Sequence, residues 1–424
     1  MHDLRMVREH IDALRAGMRR RGVLDALSPT IDRAVALDKA RRETIQAVEE
    51  RKAARNAVSQ QVGQRKRAGE SAENLQQQSR ALGDEIARLD RELAQTEGEL
   101  SAILLELPNI TLDQVPAGAE DKNAVVRRWG APREGARVQP HWEIGAKVGI
   151  IDFERGAKIS GSGFIVFREM GARLVRALMN LMLDVHTREH GYEETWVPVV
   201  VNRASMTGTA QLPKFEEDMY ALRDEDAFLI PTAEVPLTNL YRDEIIPESE
   251  LPKSFAAYSP CFRREAGAAG KDTRGLLRVH EFDKVELVRY VTPESSQEQL
   301  ELLTGHAEKI LTMLDLPYRV VRLASGDTGF ASAHTYDLET FAPGVGKWLE
   351  VSSCSNFTDF QARRANIRYK PADGGKPRFV HTLNGSGLAF SRVIASILEH
   401  HQQEDGSVRI PAALSTYLGA ERLG

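Results

Sequence analysis

Apolar residues recur every three or four positions between residues 75 and 107, and charged residues and glutamines fill the positions between them. The spacing fits a seven-residue repeat that only Ser79 and Thr96 interrupt. Such a repeat predicts a helix that packs along a partner helix. The apolar positions of the repeat are Leu75, Leu82, Ile86, Leu89, Leu93, Leu100, Ile103 and Leu107.

A second helix is predicted over residues 31–62, although Arg and Lys interrupt its apolar face. Its apolar positions are Ala34, Leu37, Val48, Val58 and Val62. Residues 63–70, which include Gly69, are expected to form the turn between the two helices. We therefore predict an antiparallel helical hairpin at about 28–107, within an N-terminal domain of residues 1–107. Each helix would have roughly 30 residues and be about 45 Å long.

The composition changes after residue 107. Several prolines and glycines indicate a linker over 108–140, and a second domain is expected over 141–424. Its β-branched and aromatic segments predict strands, and amphipathic segments between them predict helices near 168–190 and 294–314. The predicted strands include 164–167, 194–200 and 284–288. This pattern favours an α+β domain with a mainly antiparallel sheet flanked by helices over a doubly wound parallel sheet.

Overall composition is that of an ordinary globular protein of 424 residues, and the net charge of −5 argues against a surface that is basic throughout. A local basic patch remains compatible with this charge. The two cysteines, Cys261 and Cys354, do not have zinc-ligand spacing, so no zinc site is expected. The N-terminal residues do not resemble a signal peptide, and no apolar run is long enough for a membrane span. We expect a cytoplasmic protein with no membrane partner.

Basic residues are concentrated at the turn of the predicted hairpin. They are Arg65, Lys66 and Arg67 at the turn itself, with Arg51, Lys52 and Arg55 further back along the first helix. Positive charge at the far end of a long, thin element suits contact with the phosphates of a nucleic acid. A dimerisation coiled coil with a solvated charged face is the alternative.

Arginine, glutamate and phenylalanine are combined on two segments that read as neighbouring strands, Phe262–Glu265 and Glu281–Leu287, with Arg278 shortly before the second. The planar guanidinium of arginine binds phosphate oxygens with two hydrogen bonds and also stacks on aromatic rings. Arg263 is expected to contact the α-phosphate of a nucleotide, and Arg278 its outer phosphates. Glu265 would accept a hydrogen bond from the exocyclic amine of the base. The alternative is a pair of edge strands with solvated arginines.

Two further segments strengthen the nucleotide hypothesis. Glu350 precedes Ser352 and Ser353, and a carboxylate beside hydroxyl groups is suited to hold Mg²⁺ against phosphates. Gly385 and Gly387 are expected to let the backbone approach a ligand closely, ahead of a helix that carries Arg392. The glycines at 267–271 and 161–163 match neither a P-loop nor a dinucleotide-binding motif in their spacing.

These segments resemble the three sequence motifs of the class II aminoacyl-tRNA synthetases. Residues 190–198 resemble the first, Phe262–Glu265 with Arg278 and Phe282 the second, and 385–392 the third. The segments 231–236, 267–274, 350–356 and 384–386, together with the helical arm, are similar to those of the bacterial-type seryl-tRNA synthetases. The resemblance covers essentially the whole chain, and Ser391 departs from it, because glycine is common there in the family.

The resemblance implies an ATP-dependent ligation of L-serine to its tRNA through a seryl-adenylate, and serylation of selenocysteine tRNA where that tRNA is present. The implied serine-binding residues are Thr232, Ala233, Glu234, Arg263, Glu286 and Ser386. The implied ATP-binding residues are Arg263, Arg264, Glu265, Arg278, Val279, Phe282, Glu350, Val351, Ser352, Ser353 and Arg392. The implied tRNA-binding residues are Arg51, Lys52, Arg55, Arg65, Lys66, Arg67, Lys271 and Arg274.

Within this set, the resemblance implies that Arg263 and Arg392 are the catalytic residues, that Glu350 and Ser353 hold Mg²⁺ with ATP, and that the chain forms a homodimer through its first motif. Two rivals remain: a class II paralogue that loads a carrier protein, and a non-catalytic RNA-binding protein with the same fold. The first would lack the helical arm and the second would lack the phosphate-binding arginines. Both features are present in the sequence.

Overall fold

The computed structural model of the chain describes residues 1–135, 137–266 and 274–424. These residues form two compact units, Met1–Pro108 and Asn109–Gly424. Lys271, which was expected to contact tRNA, lies outside the described residues. No helix in the described residues is long and apolar enough to cross a membrane.

The first unit is helical throughout. Its helices are Leu4–Arg8 (α1), Ile11–Arg20 (α2), Leu24–Arg67 (α3) and Glu73–Glu106 (α4). Helices α3 and α4 run antiparallel, as the ion pairs Arg33–Glu99 and Arg51–Glu85 between them show. Their buried seam consists of Ile31, Ala34, Leu37, Val48 and Val58 from α3, with Ile86, Leu89, Leu100 and Leu104 from α4. The prediction of a long helical hairpin is therefore confirmed.

The hairpin is longer than the sequence analysis indicated. Helix α3 has 44 residues and continues through Gly63 to Arg67, while α4 has 34 residues. A glycine inside a helix costs only about 1 kcal/mol relative to alanine, which does not end a helix that packs against a partner along its length. The turn is therefore shorter than expected, and it includes Gly69, whose φ of 74° is readily adopted only by glycine.

The second unit contains the remaining elements. Its helices are His141–Lys147 (α5), Phe153–Ser160 (α6), Met170–Arg188 (α7), Arg203–Gly208 (α8), Glu234–Thr238 (α9), Ser296–Met313 (α10), Phe360–Ala365 (α11), Phe390–His400 (α12) and Ala412–Leu418 (α13). Its strands are Ala124–Trp129 (β1), Ile151–Asp152 (β2), Val166–Phe167 (β3), Glu193–Glu194 (β4), Val200–Asn202 (β5), Ala227–Leu229 (β6), Ile245–Pro247 (β7), Lys253–Phe262 (β8), Glu281–Val291 (β9), Tyr318–Arg322 (β10), His334–Ala342 (β11), Lys347–Asn356 (β12), Arg368–Lys370 (β13), Arg378–Phe379 (β14), His381–Ala389 (β15), Val408–Arg409 (β16) and Arg422–Leu423 (β17).

Eight strands form the main sheet, in the order β1-β10-β11-β12-β15-β9-β8-β4. Every neighbouring pair is antiparallel except β4 and β8, which are parallel. The predicted α+β fold with a mainly antiparallel sheet is thus confirmed. The segment 108–140 was expected to be a linker, yet it contributes β1, which pairs with β10 at one edge of this sheet. Exposed positions do not alternate regularly along β1 and none of its six residues is fully buried, so the segment carries little strand pattern.

Two glycines of β15 have a different role from the one expected. A Cβ atom on Gly385 would lie 2.2 Å from Leu303 Cδ2 on α10, and one on Gly387 would lie 2.8 Å from His186 Nε2 on α7. Both positions therefore need glycine because helices pack tightly behind the sheet. The expectation that these glycines make room for a ligand is not supported by this packing.

Candidate active site

The central strands of the main sheet lie beneath a cavity of about 520 Å³. Part of its polar lining comes from three strands, with Lys284 on β9, Glu350 and Ser353 on β12, and Asn384 and Ser386 on β15. A smaller cavity of about 80 Å³ adjoins it. The residues that line both are Arg263, Glu265, Arg278, Lys284, Glu350 and Ser386. The two cavities therefore form one continuous site.

A buried polar network forms one end of this site. Thr232 Oγ1 donates to Glu286 Oε2 at 2.7 Å and accepts from Lys284 Nζ at 2.9 Å. Lys284 and Glu286 also form an ion pair, and Asn384 Nδ2 lies 3.3 Å from Glu286 Oε1. Lys284 and Glu286 are two positions apart on β9, so their side chains point to the same face of the sheet. Three of the four residues line the larger cavity, and Glu286 is fully buried behind them.

Glu234 adds a second carboxyl group to this end. Burial, with a smaller contribution from the nearby Glu286 carboxylate, raises the pKa of Glu234 to about 7. Gln361 Nε2 donates to Glu234 Oε1 at 2.6 Å, and Thr382 donates in turn to Gln361 at 2.7 Å. The side chain of Ala233 packs in a separate apolar cluster and does not line either cavity.

Arginines and an aromatic ring dominate the other end. The Arg263 guanidinium lies 5.1 Å from the centre of the Phe282 ring, and Arg278 forms an ion pair with Glu265. Phe282 and Val279 line the smaller cavity. Arg264 differs from the expectation, because its Nη1 donates to the backbone oxygen of Glu217 at 3.1 Å and it does not line either cavity.

The third motif brings Arg392 to the same smaller cavity as Arg263. Arg392 Nη1 lies 2.7 Å from the backbone oxygen of Glu350 and 3.3 Å from its Oε2. Ser391 sits in the first turn of α12, where a helical backbone accommodates its side chain without strain. The structure therefore brings together two arginines that are far apart in the sequence, as their chemistry predicted.

The serines of β12 alternate in direction. Ser353 lines the larger cavity, whereas Ser352 is buried and donates to the backbone oxygen of Ser386 at 2.6 Å. Val351 lines the smaller cavity. The structure therefore places Ser352 behind the site, as a support for β15, and the expectation that it contacts ATP directly is not supported by its orientation.

Glu350 and Ser353 both supply oxygen atoms to the larger cavity, and Glu350 also lines the smaller one. Asp337 pairs with Ser353 across β11 and β12, and its Oδ1 is buried with no hydrogen-bond partner among the described residues. Burial, together with the nearby Glu350 carboxylate, raises the pKa of Asp337 well above its ordinary value. Carboxylate and hydroxyl oxygens are the ligands that Mg²⁺ takes in proteins, so these residues fit a magnesium ion.

Four residues of the site had no role predicted from the sequence: Lys284, Asn384, Gln361 and Asp337. Lys284 had a usable signal, because it lies two positions from both Phe282 and Glu286 and must share their face of the strand. Gln361 and Asp337 come from segments with no chemical pattern of their own. Their positions follow only from the packing of α11 and the register of β11.

The basic residues expected to contact tRNA lie on α3, apart from Lys271 and Arg274. Three of them pair with acidic residues: Arg51 with Glu85, Lys52 with Asp90, and Arg65 with Glu70. Lys66 and Arg67 are exposed at the end of the helix, and Arg55 is half-buried. Arg274 lies with its guanidinium 4.6 Å from the centre of the Trp142 ring. The tip of the hairpin thus carries an exposed basic patch.

Known families match both units of the chain. Residues 214–401 match the tRNA synthetase class II core domain (G, H, P, S and T), and residues 1–111 match the seryl-tRNA synthetase N-terminal domain. The mainly antiparallel sheet, the two arginines of one cavity and the core-domain match together define a class II aminoacyl-tRNA synthetase.

Full-length relatives narrow this class. A serine–tRNA ligase of Gemmatimonas aurantiaca is 67% identical over 99% of both chains, and one of Carboxydothermus hydrogenoformans is 52% identical over 100% of this chain and 99% of its own length. The chain belongs to the serine–tRNA ligase family. A solved seryl-tRNA synthetase of Pyrococcus horikoshii, complexed with ATP, superposes with a TM-score of 0.94 at 37% identity, over 100% of this chain and 99% of the other.

Proposed function

We propose that the protein activates L-serine with ATP to give seryl-adenylate and pyrophosphate, and then transfers the seryl group to the 3′-terminal adenosine of serine tRNA. The observation that carries the proposal is the shared cavity of Arg263 and Arg392, which continues into the polar network around Thr232 and Glu286. The serine carboxylate is itself the nucleophile, so the protein needs only to position the substrates and neutralise charge.

The polar network is suited to select serine. The ionised form of Glu234 would pair with the ammonium group, and Thr232 would assist it. Glu286 and Ser386 would hydrogen-bond the side-chain hydroxyl. Alanine has no such hydroxyl and would leave these buried groups unpaired, which in comparable sites costs about 10⁴-fold in kcat/KM.

The arginine end is suited to ATP. Arg263 would bridge the serine carboxylate and the α-phosphate, and Arg392 would bind the γ-phosphate of a bent nucleotide. Phe282 would stack on the adenine. Arg278 would exchange its ion pair with Glu265 for the outer phosphates, and Glu265 would then accept from the adenine amine.

A magnesium ion would be held by Glu350 and Ser353. Bound there, it would offset the negative charge of the phosphates during attack at phosphorus. The protein itself contributes the orientation of these two side chains, which β12 holds in place through its pairing with β11. No zinc ion is required by this chemistry.

The partners follow from the other surfaces. The basic tip of the hairpin would contact the long variable arm of serine tRNA, and of selenocysteine tRNA where it is present. Trp196, in the segment that resembles the first class II motif, is 79% exposed, and a large exposed aromatic residue supports a homodimer interface there. We place the enzyme in the cytoplasm, where its tRNA substrates are.

The test is ATP–pyrophosphate exchange with each of the twenty amino acids. Exchange is expected with serine alone, and R263A is expected to reduce it by at least about 10²-fold because a charge contact to the transition state is lost. R409A serves as the matched control, because Arg409 pairs with Asp315 and lines neither cavity. Near-normal exchange by R263A, or exchange driven by another amino acid, would refute the proposal.

A further inference from the structure

A fully buried histidine lies behind the ATP end of the site and has no part in the chemistry proposed above. His141 is the first residue of α5, and its Nδ1 lies 2.7 Å from Glu399 Oε1 on α12. Its Nε2 accepts a hydrogen bond from the backbone N–H of Leu276 at 3.0 Å. Because Nε2 is an acceptor, the proton of the neutral ring resides on Nδ1 and is donated to Glu399.

Glu399 is held firmly by its other contacts. Its Oε1 also accepts from the backbone N–H of His141 at 2.9 Å. Its Oε2 accepts from the backbone N–H groups of Gly344 at 2.8 Å and Val345 at 3.3 Å. The carboxylate cannot rotate without losing these bonds, so the ring of His141 is fixed in one orientation.

Helix α12 therefore holds two consecutive residues of one segment. Through His141, Glu399 fixes the N–H of Leu276, and Arg392 Nε, on the same helix, donates to the backbone oxygen of Leu277 at 3.2 Å. The next two residues, Arg278 and Val279, line the smaller cavity. The positions of Arg278 and Val279 thus depend on the hydrogen bond between His141 and Leu276.

The fit between this segment and the ring is tight. Gly275 has a φ of 69°, and a Cβ atom there would lie 2.4 Å from His141 Nε2. The chain therefore turns against the imidazole, where only glycine fits. Arg274, immediately before it, stacks on Trp142 next to the histidine.

We propose that His141 is a positioning residue for ATP: its hydrogen bond to Leu276 sets the place of Arg278 and Val279 in the nucleotide cavity. The inference rests on the proposed assignment of that cavity to ATP. His141 makes no hydrogen bond with Thr232, Glu234 or Glu286 among the described residues, so we expect its loss to affect the nucleotide more than serine.

The experiment compares H141N and H141Q by serine-dependent ATP–pyrophosphate exchange in the full-length protein. The side-chain amide of the asparagine variant reaches the position of Nδ1 and keeps the contact with Glu399, but leaves the Leu276 N–H without its acceptor. The longer side chain of the glutamine variant places an oxygen near the position of Nε2. We expect H141N to raise the KM for ATP roughly tenfold with little change in the KM for serine, and H141Q to recover most of the loss.

H401Q is the matched control, because His401 is a buried histidine whose Nε2 bonds the backbone oxygen of Leu314, away from the cavities. It should leave both KM values unchanged. H141L provides a second variant that fills the space without an acceptor, in case H141N does not fold. Equal rises in both KM values, no rise, or a failure of both H141N and H141L to fold while H141Q folds would overturn the inference. If the wild-type protein shows no serine-dependent ATP–pyrophosphate exchange at all, the proposed function is wrong instead.

Discussion

Arg392 and Glu350 are joined twice, through the backbone oxygen of Glu350 at 2.7 Å and through its carboxylate at 3.3 Å. The contact connects the first turn of α12 to β12 across the smaller cavity. Because one carboxylate oxygen of Glu350 remains for other ligands, Arg392 can orient this side chain and still contact a phosphate with its second amino group. The proposed binding of magnesium by Glu350 and of the γ-phosphate by Arg392 therefore depends on the same contact between the two side chains.

This link predicts different results for two substitutions of Arg392. R392K keeps one positive charge but loses the fork that bonds Leu277 and Glu350 together, so we expect a loss of about 10-fold or more in kcat/KM for ATP. R392A should lose at least about 10²-fold. The measurement is pyrophosphate exchange against ATP and Mg²⁺ concentration. The prediction is wrong if lysine fully replaces arginine or if the Mg²⁺ requirement does not change in either variant.

The Lys284–Glu286 pair predicts that substitutions can change the melting temperature and the serine affinity separately. E286Q leaves the buried ammonium of Lys284 without its charge partner, so we expect a lower melting temperature together with a KM for serine raised by more than about tenfold. The double variant K284M/E286Q removes the unpaired charge as well. It should regain most of the melting temperature without regaining serine affinity, whereas a joint recovery would show that Glu286 acts only through stability.

The raised pKa of Glu234 predicts a pH dependence of serine binding. The buried carboxyl group is protonated below about pH 7 and ionised above it, and only the ionised form pairs with the serine ammonium. The KM for serine should therefore fall as the pH rises from about 6 to 8, while the KM for ATP changes little. In E234Q the serine KM should be high and independent of pH over this range. A wild-type serine KM that is flat with pH would contradict the assignment.

The same raised pKa carries a stability consequence of known sign. The folded-state pKa lies above the ordinary value of 4.5, so the contribution of Glu234 to stability is fully present below pH 4.5 and is lost as the pH rises through about 7. The E234Q variant has no ionisable group at this position, so it does not lose this stability as the pH rises. We expect E234Q to be relatively more stable than the wild type at pH 8 than at pH 5, as measured by urea unfolding.

The position of the hairpin predicts that amino-acid activation and tRNA charging can be separated by a deletion. Arg33 pairs with Glu99 across α3 and α4, so the helices can be joined near this point by a short glycine linker after deletion of residues 35–95. We expect the shortened protein to keep serine-dependent pyrophosphate exchange and to lose tRNA charging. Undiminished charging by the shortened protein would show that the hairpin has another purpose.

A charge variant of the tip complements this deletion. Replacing Arg65, Lys66 and Arg67 with alanine leaves both helices in place and removes three positive charges. The expected result is a higher KM for tRNA and a weaker dependence of that KM on salt, because fewer phosphates are neutralised. Exchange with serine and ATP should be unaffected, which distinguishes the tip from the active site.

Much of this fold was accessible from the sequence because the relevant signals are local. The heptad positions of α4 predicted the hairpin, and Arg263, Arg278 and Arg392 were predicted to meet because each carries a charge suited to the same ligand. The resemblance to a known family supplied the residues with no local signal, such as Thr232 and Glu234.

The differences between the expected and the observed positions arise from packing between distant segments. Gly385 and Gly387 are required by Leu303 and His186 behind the sheet, and nothing near the glycines in the chain indicates those contacts. Arg264 and Ser352 follow residues that line the cavities, yet strand alternation and a neighbouring loop turn both side chains away. The face of the sheet to which a side chain points depends on the register of its strand, and a single sequence does not reveal that register.

Strand β1 has a practical consequence for dividing the chain. It covers the outer edge of β10, whose residues Tyr318, Val320 and Val321 are buried. A fragment that starts at residue 141 would leave this edge open, and open edges invite pairing with other molecules. A catalytic fragment that is intended to remain in solution should therefore begin no later than residue 109, at the start of the second compact unit.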